Sequence, residues 1–478
     1  MKAVMVMFDT LTRKYLSTYG NDWCITPNFK RLEEHCFVME NFYGGSMPCM
    51  PARRELHTGK YNFLHRSWGP LEPFDYSVFE DMNKHGIYTH LCTDHSHYFE
   101  DGGATYHNRY SSWEGFRGQE GDRWVPRIGF NYEHVNKYHK NTISCTQNIA
   151  NKTRQTKEED MSSVKTINAG IDFINKYHDT DNWFLQIECF DPHEPFNVPD
   201  KYREMYNLKE VELNWPGYMM CEDDIDLDKL HKEYASLITM CDYHLGRILD
   251  KFDEYHMWDD VMLIVNTDHG FLLGENHYLG KNVWPMHQEI IHTPFYIHIP
   301  HEKPRHIKEL CQTIDIAATL IDYFNLPKKE NMEGQSLLDV IRNNKKIHDY
   351  VLFGVHGGHV NITDGDYVYM HANIKPDNKP LVECTLMPTK MRGFFSLNQL
   401  LNPELVNGDK YSSGIPYLKY PSHAEFKAYE QGNRLYDVRN GEILIEDEKI
   451  TDRMIKNMQR IMHEIDAPLE EFSRLGLK

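Results

Sequence analysis

Short apolar runs alternate with helical patterns along the first two-thirds of the chain. The apolar runs predict buried strands over Ala3–Phe8, Tyr88–Thr93, Trp183–Phe190, Met262–Thr267 and Phe295–Ile299. Between them, apolar residues recur at helical spacing over Pro27–His35, His231–Tyr255 and Thr313–Phe324. Strands that alternate with helices are typical of a mostly parallel sheet covered by helices on both faces. The pattern therefore predicts an α/β fold with a large, mostly parallel sheet.

The pattern changes after about residue 350. Residues 360–369 predict two strands around an Asp-Gly turn. A further strand-like run, Arg434–Val438, precedes a helical pattern over Thr451–Ile465. These elements predict a small antiparallel sheet with a helix packed on it.

The two patterns divide the chain into two expected domains. Residues 1–350 are expected to form the large α/β domain, and residues 351–478 a smaller C-terminal α+β subdomain. Residues 101–160 are rich in Gly, Tyr, Trp and charged residues but show no clear period. A long segment of this kind predicts an insertion that shapes a substrate pocket.

The composition is that of a globular protein. Of the 478 residues, 40% are hydrophobic and 26% are charged. No apolar run approaches the roughly 20 residues that a membrane-spanning helix needs, so no membrane association is expected. The first apolar run leads directly into Asp9 and fits a buried strand better than a secretory signal, so we expect a cytoplasmic protein. The net charge of −19 argues against nucleic-acid binding, which needs many cations.

Polar residues follow four of the predicted strands. The carboxyl ends of parallel strands meet at one edge of a sheet, and sites form there. The four groups are Asp9-Thr10, Thr93-Asp94-His95, Asp191-Pro192-His193 and Asp268-His269-Gly270. We therefore expect the active site at this edge.

One cysteine belongs to a motif. The ten cysteines include no Cys-x-x-Cys pair, so most are expected to be buried thiols. The segment Cys49-Met50-Pro51-Ala52-Arg53, with Thr58-Gly59 after it, stands apart. A helix amino terminus lowers the pKa of a thiol, so a thiolate nucleophile is one reading of Cys49. The whole segment resembles the sulfatase signature, Cys-x-Pro-x-Arg followed by Thr-Gly, although Ala52 stands where serine is often found.

The resemblance implies an alkaline phosphatase-like fold and a formylglycine nucleophile derived from Cys49. A hydrated aldehyde carries two hydroxyl groups. One attacks sulfur or phosphorus, and the other expels sulfate or phosphate as the aldehyde reforms. A partner is implied as well, either a formylglycine-generating enzyme or an anaerobic sulfatase-maturing enzyme. Arg53 lies one helical turn beyond Cys49, where its charge can steady the nucleophile.

A divalent metal is also implied by the resemblance. The expected ligands are Asp9, Thr10, Asp268, His269 and the modified Cys49. Carboxylates suit Ca²⁺, Mg²⁺ or Mn²⁺ and an imidazole favours Mn²⁺ or Zn²⁺, so calcium and manganese lead, with zinc and magnesium as alternatives. Many sulfatases have a second carboxylate where Thr10 stands and an asparagine where His269 stands. The Asp-Thr and Asp-His pairs resemble the phosphonate monoester hydrolase branch of the superfamily.

Other residues resemble the substrate-binding elements of the family. Lys281 lies downstream of the second metal half-site, where relatives place a lysine that binds sulfate or phosphate. His193 lies in a Pro-His-x-Pro turn and is the expected general acid for the leaving group. The Gly-Lys-x-His segment of typical sulfatases has no lysine here. His95 and His97 can lie on one face of an extended segment, where they either contact the substrate instead or bind water at the rim of the pocket.

The expected reaction is hydrolysis of a sulfate monoester, a small anionic ester of a sugar or an aromatic alcohol. The same groups could act on phosphonate monoesters or phosphodiesters. If Cys49 is unmodified, the chain would instead be a silent protein that binds sulfated glycans, and a phosphomutase-like enzyme would have to use Thr10. Residues 101–160 and 371–430 lie outside the resemblance and are expected to decide the substrate. A homo-oligomer is also expected.

Overall fold

The computed structural model describes residues 1–129, 142–208, 217–221, 225–282, 285–424 and 426–477. Part of the predicted insertion, residues 130–141, lies outside the described residues. All ten cysteines fall within the described residues as free thiols, and all except Cys221 are buried.

The described residues form strands of two to seven residues. They are β1 Lys2–Phe8, β2 Phe37–Tyr43, β3 Ser46–Met47, β4 Tyr88–Thr93, β5 Ser112–Gly115, β6 Trp183–Cys189, β7 Met219–Met220, β8 Val261–Thr267, β9 Leu272–Leu273, β10 Tyr278–Gly280, β11 Phe295–His298, β12 His306–Gln312, β13 Val351–Val355, β14 Val360–Thr363, β15 Tyr367–His371, β16 Val382–Thr385, β17 Glu404–Val406, β18 Tyr417–Pro421, β19 Arg434–Asp437 and β20 Ile443–Ile445.

The α-helices range from one turn to the 28 residues of the longest. They are α1 Pro27–Arg31, α2 Cys49–Thr58, α3 Val78–Lys84, α4 Ala104–His107, α5 Thr142–Lys152, α6 Ser162–Tyr177, α7 Asp200–Glu204, α8 Leu227–Glu254, α9 Gln288–Ile291, α10 Ile314–Tyr323, α11 Leu337–Asn343, α12 Leu397–Leu400, α13 Ala428–Gln431, α14 Glu448–Glu464 and α15 Leu469–Leu475.

An eight-stranded sheet in the order β12-β2-β11-β8-β1-β6-β4-β5 forms the centre of the molecule. Its strands are parallel except β11, which runs antiparallel to β2 and β8. The predicted α/β fold is confirmed. Every predicted strand of the first two-thirds lies in this sheet, with bounds that differ by at most one residue from those expected.

Strand β1 shows why these runs are almost continuously apolar. Val4 and Val6 pack into one buried cluster, which includes residues of α6 and α8. Ala3 and Met5 pack into a second cluster on the other face, with residues of α10 and α11. A strand covered by helices on both faces has no solvent-facing side, and polar residues are therefore excluded from most of its positions.

The predicted insertion begins as part of the sheet. Residues 112–115 form β5, the edge strand that pairs in parallel with β4. Three of its four residues are polar or glycine and none is fully buried, so the run lacks the apolar signal of the central strands. The pattern did not predict this strand, because an edge strand needs little apolar surface. The role of residues 101–160 as an insertion that shapes the substrate pocket stays a prediction.

The C-terminal region forms the predicted hairpin, β14 and β15, within a six-stranded sheet in the order β20-β19-β15-β14-β13-β3. Helix α14 packs on this sheet through Met454, Met458 and Ile461. Strand β3, two residues before Cys49, pairs in parallel with β13. The C-terminal sheet is therefore joined by hydrogen bonds to the segment that carries Cys49. A separate sheet, β16-β18-β17, contains residues for which the pattern predicted no strands.

We expect Leu263→Ala to lower the thermal unfolding midpoint, because Leu263 is fully buried in β8 between β1 and β11. Truncation of a buried leucine costs about 2–5 kcal/mol. Leu444→Ala is the matched control, since Leu444 on β20 is 63% exposed. Equal midpoints for the two variants, measured by circular dichroism, would contradict the burial of β8.

Candidate active site

The carboxyl ends of four adjacent parallel strands form the floor of the candidate site. Strands β8, β1, β6 and β4 are neighbours in the sheet, and each is followed by one of the predicted polar groups. Helix α2 begins opposite this edge at Cys49. The Cys49 Sγ lies 3.3 Å from His269 Nε2 and 3.9 Å from Asp9 Oδ1. The tertiary structure thus brings residues from three distant parts of the chain into contact.

Four buried side chains form a cluster that fits a divalent metal. Asp9, Cys49, Asp268 and His269 each offer one ligand atom, and these atoms all lie within 4.8 Å of one another. His269 Nδ1 is 3.0 Å from the carbonyl oxygen of Gly270. A carbonyl can only accept, so Nδ1 carries the proton and the Nε2 lone pair faces the cluster, as in a metal-binding histidine. Burial lowers the pKa of His269, which favours this neutral form.

Arg53 is the centre of the hydrogen-bond network below Cys49. Its guanidinium donates to Asp268 Oδ2 (2.7 Å), Glu188 Oε1 (2.8 Å) and Asp9 Oδ2 (3.0 Å). Nη1 also donates to the carbonyl oxygen of Cys49 at 2.9 Å. Burial acts to raise the pKa of Asp9, but the Arg53 charge and other cations hold it well below its usual value. Arg53 therefore contacts the Cys49 backbone and orients both metal-site carboxylates.

Glu188 is a member of this network that the sequence did not predict. It lies in β6, fully buried, and accepts hydrogen bonds from Tyr98 Oη and Gln186 Nε2, both at 2.9 Å. A buried carboxyl group needs hydrogen-bonding or charged partners. Two polar residues, Gln186 and Glu188, within an otherwise apolar strand were the available signal.

Thr10 has a strained backbone that hydrogen bonds hold in place. Its φ of 64° lies in the left-handed region, which a β-branched residue adopts at a cost of about 1–3 kcal/mol. The amide donates to Asp268 Oδ1 at 3.1 Å, and the carbonyl accepts from Tyr234 Oη at 2.6 Å. The hydroxyl donates to Asp9 Oδ1 at 2.6 Å. Thr10 thus fixes both carboxylates, and its expected role as a ligand stays a prediction.

Lys281 is buried in the site. Its Nζ donates to the Thr10 hydroxyl at 2.9 Å and lies 3.6 Å from Glu194 Oε2. Burial acts to lower its pKa, but Cys49, Glu194 and Asp9 raise the pKa above its usual value. A buried, charged lysine beside the proposed nucleophile is placed to bind an anion.

His193 is held in one orientation by its own turn. Nδ1 lies 2.6 Å from the Glu194 carbonyl oxygen, and the ring stacks on Phe190 at 4.1 Å. With Nδ1 occupied as a donor, Nε2 is the nitrogen left for a ligand. Burial and the Lys281 charge lower the pKa of His193 well below its usual value.

The two histidines after β4 take different positions. The segment is a 3₁₀ turn rather than extended, and His95 caps it by accepting from the His97 amide at 3.3 Å. His95 Nε2 lies 3.3 Å from Asp9 Oδ2, within the buried network. His97 pairs with Glu100 at 2.9 Å and lines a cavity. His97 therefore reaches the cavity and His95 lies against Asp9, and substrate contact by either histidine stays a prediction.

Asp94 and Asp191 hold the turns that carry these histidines. Gln119 Nε2 lies 2.7 Å from Asp94 and 3.4 Å from Asp191. The other Asp94 oxygen accepts from the Phe190 amide at 2.7 Å. Burial and the neighbouring Asp191 raise the pKa of Asp94 to about 8. The pair is structural and lies outside the metal-ligand cluster.

A cavity of about 710 Å³ opens above Cys49. This volume lies within the range of about 300–1,000 Å³ typical of ligand pockets. Cys49, His193 and Lys281 line it together. Of the two segments expected to decide the substrate, 101–160 contributes Glu120 among the described residues. Segment 371–430 contributes much of the remaining wall, namely Glu383, Lys390, Met391, Arg392, Gln399, Ser422, His423, Ala424 and Phe426.

Two alternative nucleophiles are disfavoured by this geometry. Burial, followed by the Asp9 carboxylate, raises the pKa of the Cys49 thiol well above its usual value, which opposes a thiolate. Thr10 is fully buried, and its hydroxyl is occupied by Asp9 and Lys281.

Comparison with known proteins decides the family. The sulfatase family model matches residues 2–326, more than half of the chain. The chain belongs to the sulfatase family. A second model, described as the C-terminal region of N-sulphoglucosamine sulphohydrolase, matches residues 274–402 of this sulfatase, across the expected domain boundary. The chain is therefore a hydrolase of the alkaline phosphatase-like fold.

Individual relatives of this sulfatase are distant. An arylsulfatase from Clostridium perfringens is 22% identical over 90% of this chain and 95% of its own length. A choline-sulfatase from Rhizobium meliloti is 21% identical over 78% of each chain. The solved phosphonate monoester hydrolase from Silicibacter pomeroyi shares the fold, with a TM-score of 0.64 and 16% identity over 98% of this chain and 95% of its own.

Among the described residues, helices long and apolar enough to cross a membrane are absent.

We expect Asp268→Asn to weaken the binding of Ca²⁺ and Mn²⁺ by more than about 100-fold, because it removes a charged ligand. Loss of even an outer-shell partner lowers metal affinity by about 10–100-fold. Isothermal titration calorimetry with each ion measures the effect. Asp191→Asn is the matched control, since Asp191 is buried and also follows a strand of the sheet but lies outside the cluster. Unchanged affinity in Asp268→Asn would exclude Asp268 as a ligand.

Proposed function

We propose that this sulfatase hydrolyses a sulfate monoester with a formylglycine derived from Cys49. The observation that carries the proposal is the position of Cys49. It begins α2 within Cys-x-Pro-x-Arg, lies 3.3 Å from His269, and lines the cavity that Lys281 and His193 also line. The modification requires a maturing enzyme as a partner. Sulfated sugars are the favoured substrates, because the model that matches residues 274–402 is named for an enzyme of a sulfated amino sugar.

In the proposed reaction, the modified residue supplies the nucleophile and is regenerated at the end. A maturing enzyme, with its own oxidant accepting two electrons, would oxidise the Cys49 side chain to an aldehyde as the sulfur leaves as sulfide, and water would add to give two hydroxyl groups. One hydroxyl would attack sulfur as the S–O bond to the alcohol breaks, and the proton that this hydroxyl loses balances the proton that the alcohol oxygen gains. The second hydroxyl would then lose its proton, the aldehyde C=O would re-form as the C–O bond to sulfate breaks, and sulfate would leave with the proton. A divalent ion held by Asp9, Asp268, His269 and the modified residue would stabilise the negative charge of the transferred group.

The surrounding residues bind and orient the ester. Lys281 carries the positive charge that binds the sulfate oxygens. Arg53 holds Asp9 and Asp268 in register with the first turn of α2. His193 offers Nε2 to the leaving oxygen, and the charge of a bound sulfate favours the protonated imidazole that this step needs.

Phosphonate monoesters and phosphodiesters remain the second candidate substrates. Thr10 and His269 stand where many sulfatases have a carboxylate and an asparagine, and Thr10 is built firmly into the site. Sulfate and phosphate esters are both tetrahedral and are stabilised by the same cations. Kinetics on both classes of ester separates the two candidates.

We expect the protein co-expressed with a maturing enzyme to contain formylglycine at position 49 and to hydrolyse 4-nitrophenyl sulfate. Peptide mass spectrometry and release of nitrophenol measure both. Cys49→Ala should lose activity by more than about 1,000-fold, because the nucleophile is gone. The protein expressed without the maturing enzyme is the matched control and should retain the thiol.

The outcomes separate the alternatives. Activity with an unmodified thiol would refute the formylglycine mechanism. An unmodified, inactive protein from its native host would favour a silent glycan-binding protein. A kcat/KM higher for 4-nitrophenyl phenylphosphonate than for 4-nitrophenyl sulfate would establish the second candidate.

We expect His193→Asn to slow esters of poor leaving groups far more than esters of good ones. General acid catalysis contributes about 100- to 10,000-fold, and nitrophenolate leaves without a proton. The ratio of kcat/KM for phenyl sulfate to that for 4-nitrophenyl sulfate, compared between wild type and variant, measures this effect. An equal loss for both esters would show that His193 is not the general acid.

A further inference from the structure

The cavity wall contributed by the C-terminal region contains a buried carboxylate with charged and polar partners. Glu383, in β16, is 2% exposed and lines the cavity. One oxygen, Oε2, accepts from Arg66 Nη1 and from the Ser67 amide, both at 2.9 Å. The other, Oε1, accepts from the Ser422 hydroxyl at 3.0 Å. Burial acts to raise the pKa of Glu383, but His356 and Arg66 lower it to about 2, so the group is ionised.

His356 presents an unused nitrogen beside this carboxylate. The residue is 4% exposed and lines the same cavity. Its Nδ1 lies 3.0 Å from the carbonyl oxygen of Phe63 and must donate to it. Nε2 lies 3.8 Å from Glu383 Oε1, beyond hydrogen-bond distance, and has no hydrogen-bond partner among the described residues. A buried polar atom of this kind is satisfied when a ligand supplies the missing partner.

We propose that Glu383, His356 and Ser422 bind hydroxyl groups on the alcohol part of the substrate, and that they select sugar sulfates over aryl sulfates. This inference rests on the proposed function, because it assigns the part of the cavity that the sulfate group does not occupy. Glu383 Oε1 accepts a hydrogen bond from one hydroxyl. A neighbouring hydroxyl forms a hydrogen bond with His356 Nε2.

Sugar alcohols and aryl alcohols differ in the number of hydrogen bonds that they can form with this wall. A sugar ring carries hydroxyls on adjacent carbons, and each can donate and accept. An aryl group placed against the same wall would remove water from an ionised carboxylate and an imidazole without replacing the hydrogen bonds. Discrimination of this type is large when a site is built around polar groups, because the wrong ligand leaves them unpaired.

The wall offers a further donor for a polar ring. The Trp68 indole lines the cavity, and its Nε1 has no hydrogen-bond partner among the residues that the structure describes. The ring is fixed by an edge contact with His97 at 4.5 Å. Trp68 therefore adds a second buried polar atom without a partner to the wall of the same cavity.

His356→Leu and Ser422→Ala test the assignment in the formylglycine-containing protein. The probes are a panel of monosaccharide monosulfates, comprising glucose, galactose, glucosamine and N-acetylglucosamine sulfates, with 4-nitrophenyl sulfate as the aryl ester. We expect His356→Leu to lower kcat/KM for the preferred sugar sulfate by about 10- to 100-fold, mainly through KM, because ground-state binding is lost. Activity on 4-nitrophenyl sulfate should stay within about twofold of wild type.

His359→Leu is the matched control for folding. His359 is a buried histidine in the same turn between β13 and β14 as His356, and its Nε2 donates to the Gly432 carbonyl oxygen at 3.0 Å, away from the main cavity. It should leave the ratio of sugar to aryl activity unchanged. Ser422→Ala removes the hydroxyl that Glu383 Oε1 binds and should give a smaller loss of the same kind, so that the test does not depend on one variant.

The results distinguish this inference from the proposed function. An equal loss on sugar and aryl esters in His356→Leu, or no loss on either, would overturn the subsite. Turnover of 4-nitrophenyl sulfate with no sugar sulfate accepted would overturn it too, while the sulfatase function would stand. Failure on all sulfates would reject the proposed function itself. The wild-type protein could prefer glucosamine sulfates over glucose sulfates, and His356→Leu could abolish that preference. This result would support the subsite and would show that the group of the sugar that binds His356 is an amine.

Discussion

The buried interaction of one guanidinium with three carboxyl groups supports the rest of the site. Arg53 contacts Asp9, Asp268 and Glu188 from three different strands of the sheet and also the backbone of Cys49. A buried charge without partners is very costly, so none of these acids could be accommodated alone. The interaction therefore fixes the start of α2 against the carboxyl edge of the sheet. It also leaves more acid than base at one point, which is the electrostatic condition for binding a cation.

The strain at Thr10 follows from the same constraint. The residue must turn the chain sharply after β1 so that its amide reaches Asp268 and its hydroxyl reaches Asp9 and Lys281. A left-handed β-branched residue is unfavourable in isolation, and here at least four hydrogen bonds hold it. The backbone of Thr10 is therefore locally unfavourable, and its conformation is the one that places its hydrogen-bonding groups in the site.

The two walls of the cavity have different tasks. The sheet edge and α2 supply the proposed reacting groups, which are buried and held by many hydrogen bonds. The C-terminal region supplies Glu383, His356 and Ser422, which line the same cavity and form the proposed subsite for the alcohol. The pairing of β3 with β13 connects the two walls directly. Strand β3 ends at Met47, Pro48 is the N-cap of α2, and Cys49 is the first residue of that helix. On the proposed function, the residues that bind the alcohol and the residues that react with the sulfate group therefore lie on separate walls.

The sequence by itself determined the central strands, the strand-end acids and the cysteine motif. Each of these is a local signal: an apolar run, a polar group that ends it, or a fixed spacing. The tertiary structure alone decided the partners. Glu188 was hidden within an apolar run, His95 turned toward Asp9 instead of the cavity, and β5 was too polar to predict. Sheet β16-β18-β17 and the Glu383–His356 pair likewise depend on contacts between residues far apart in sequence, and such contacts leave no periodic trace along the chain.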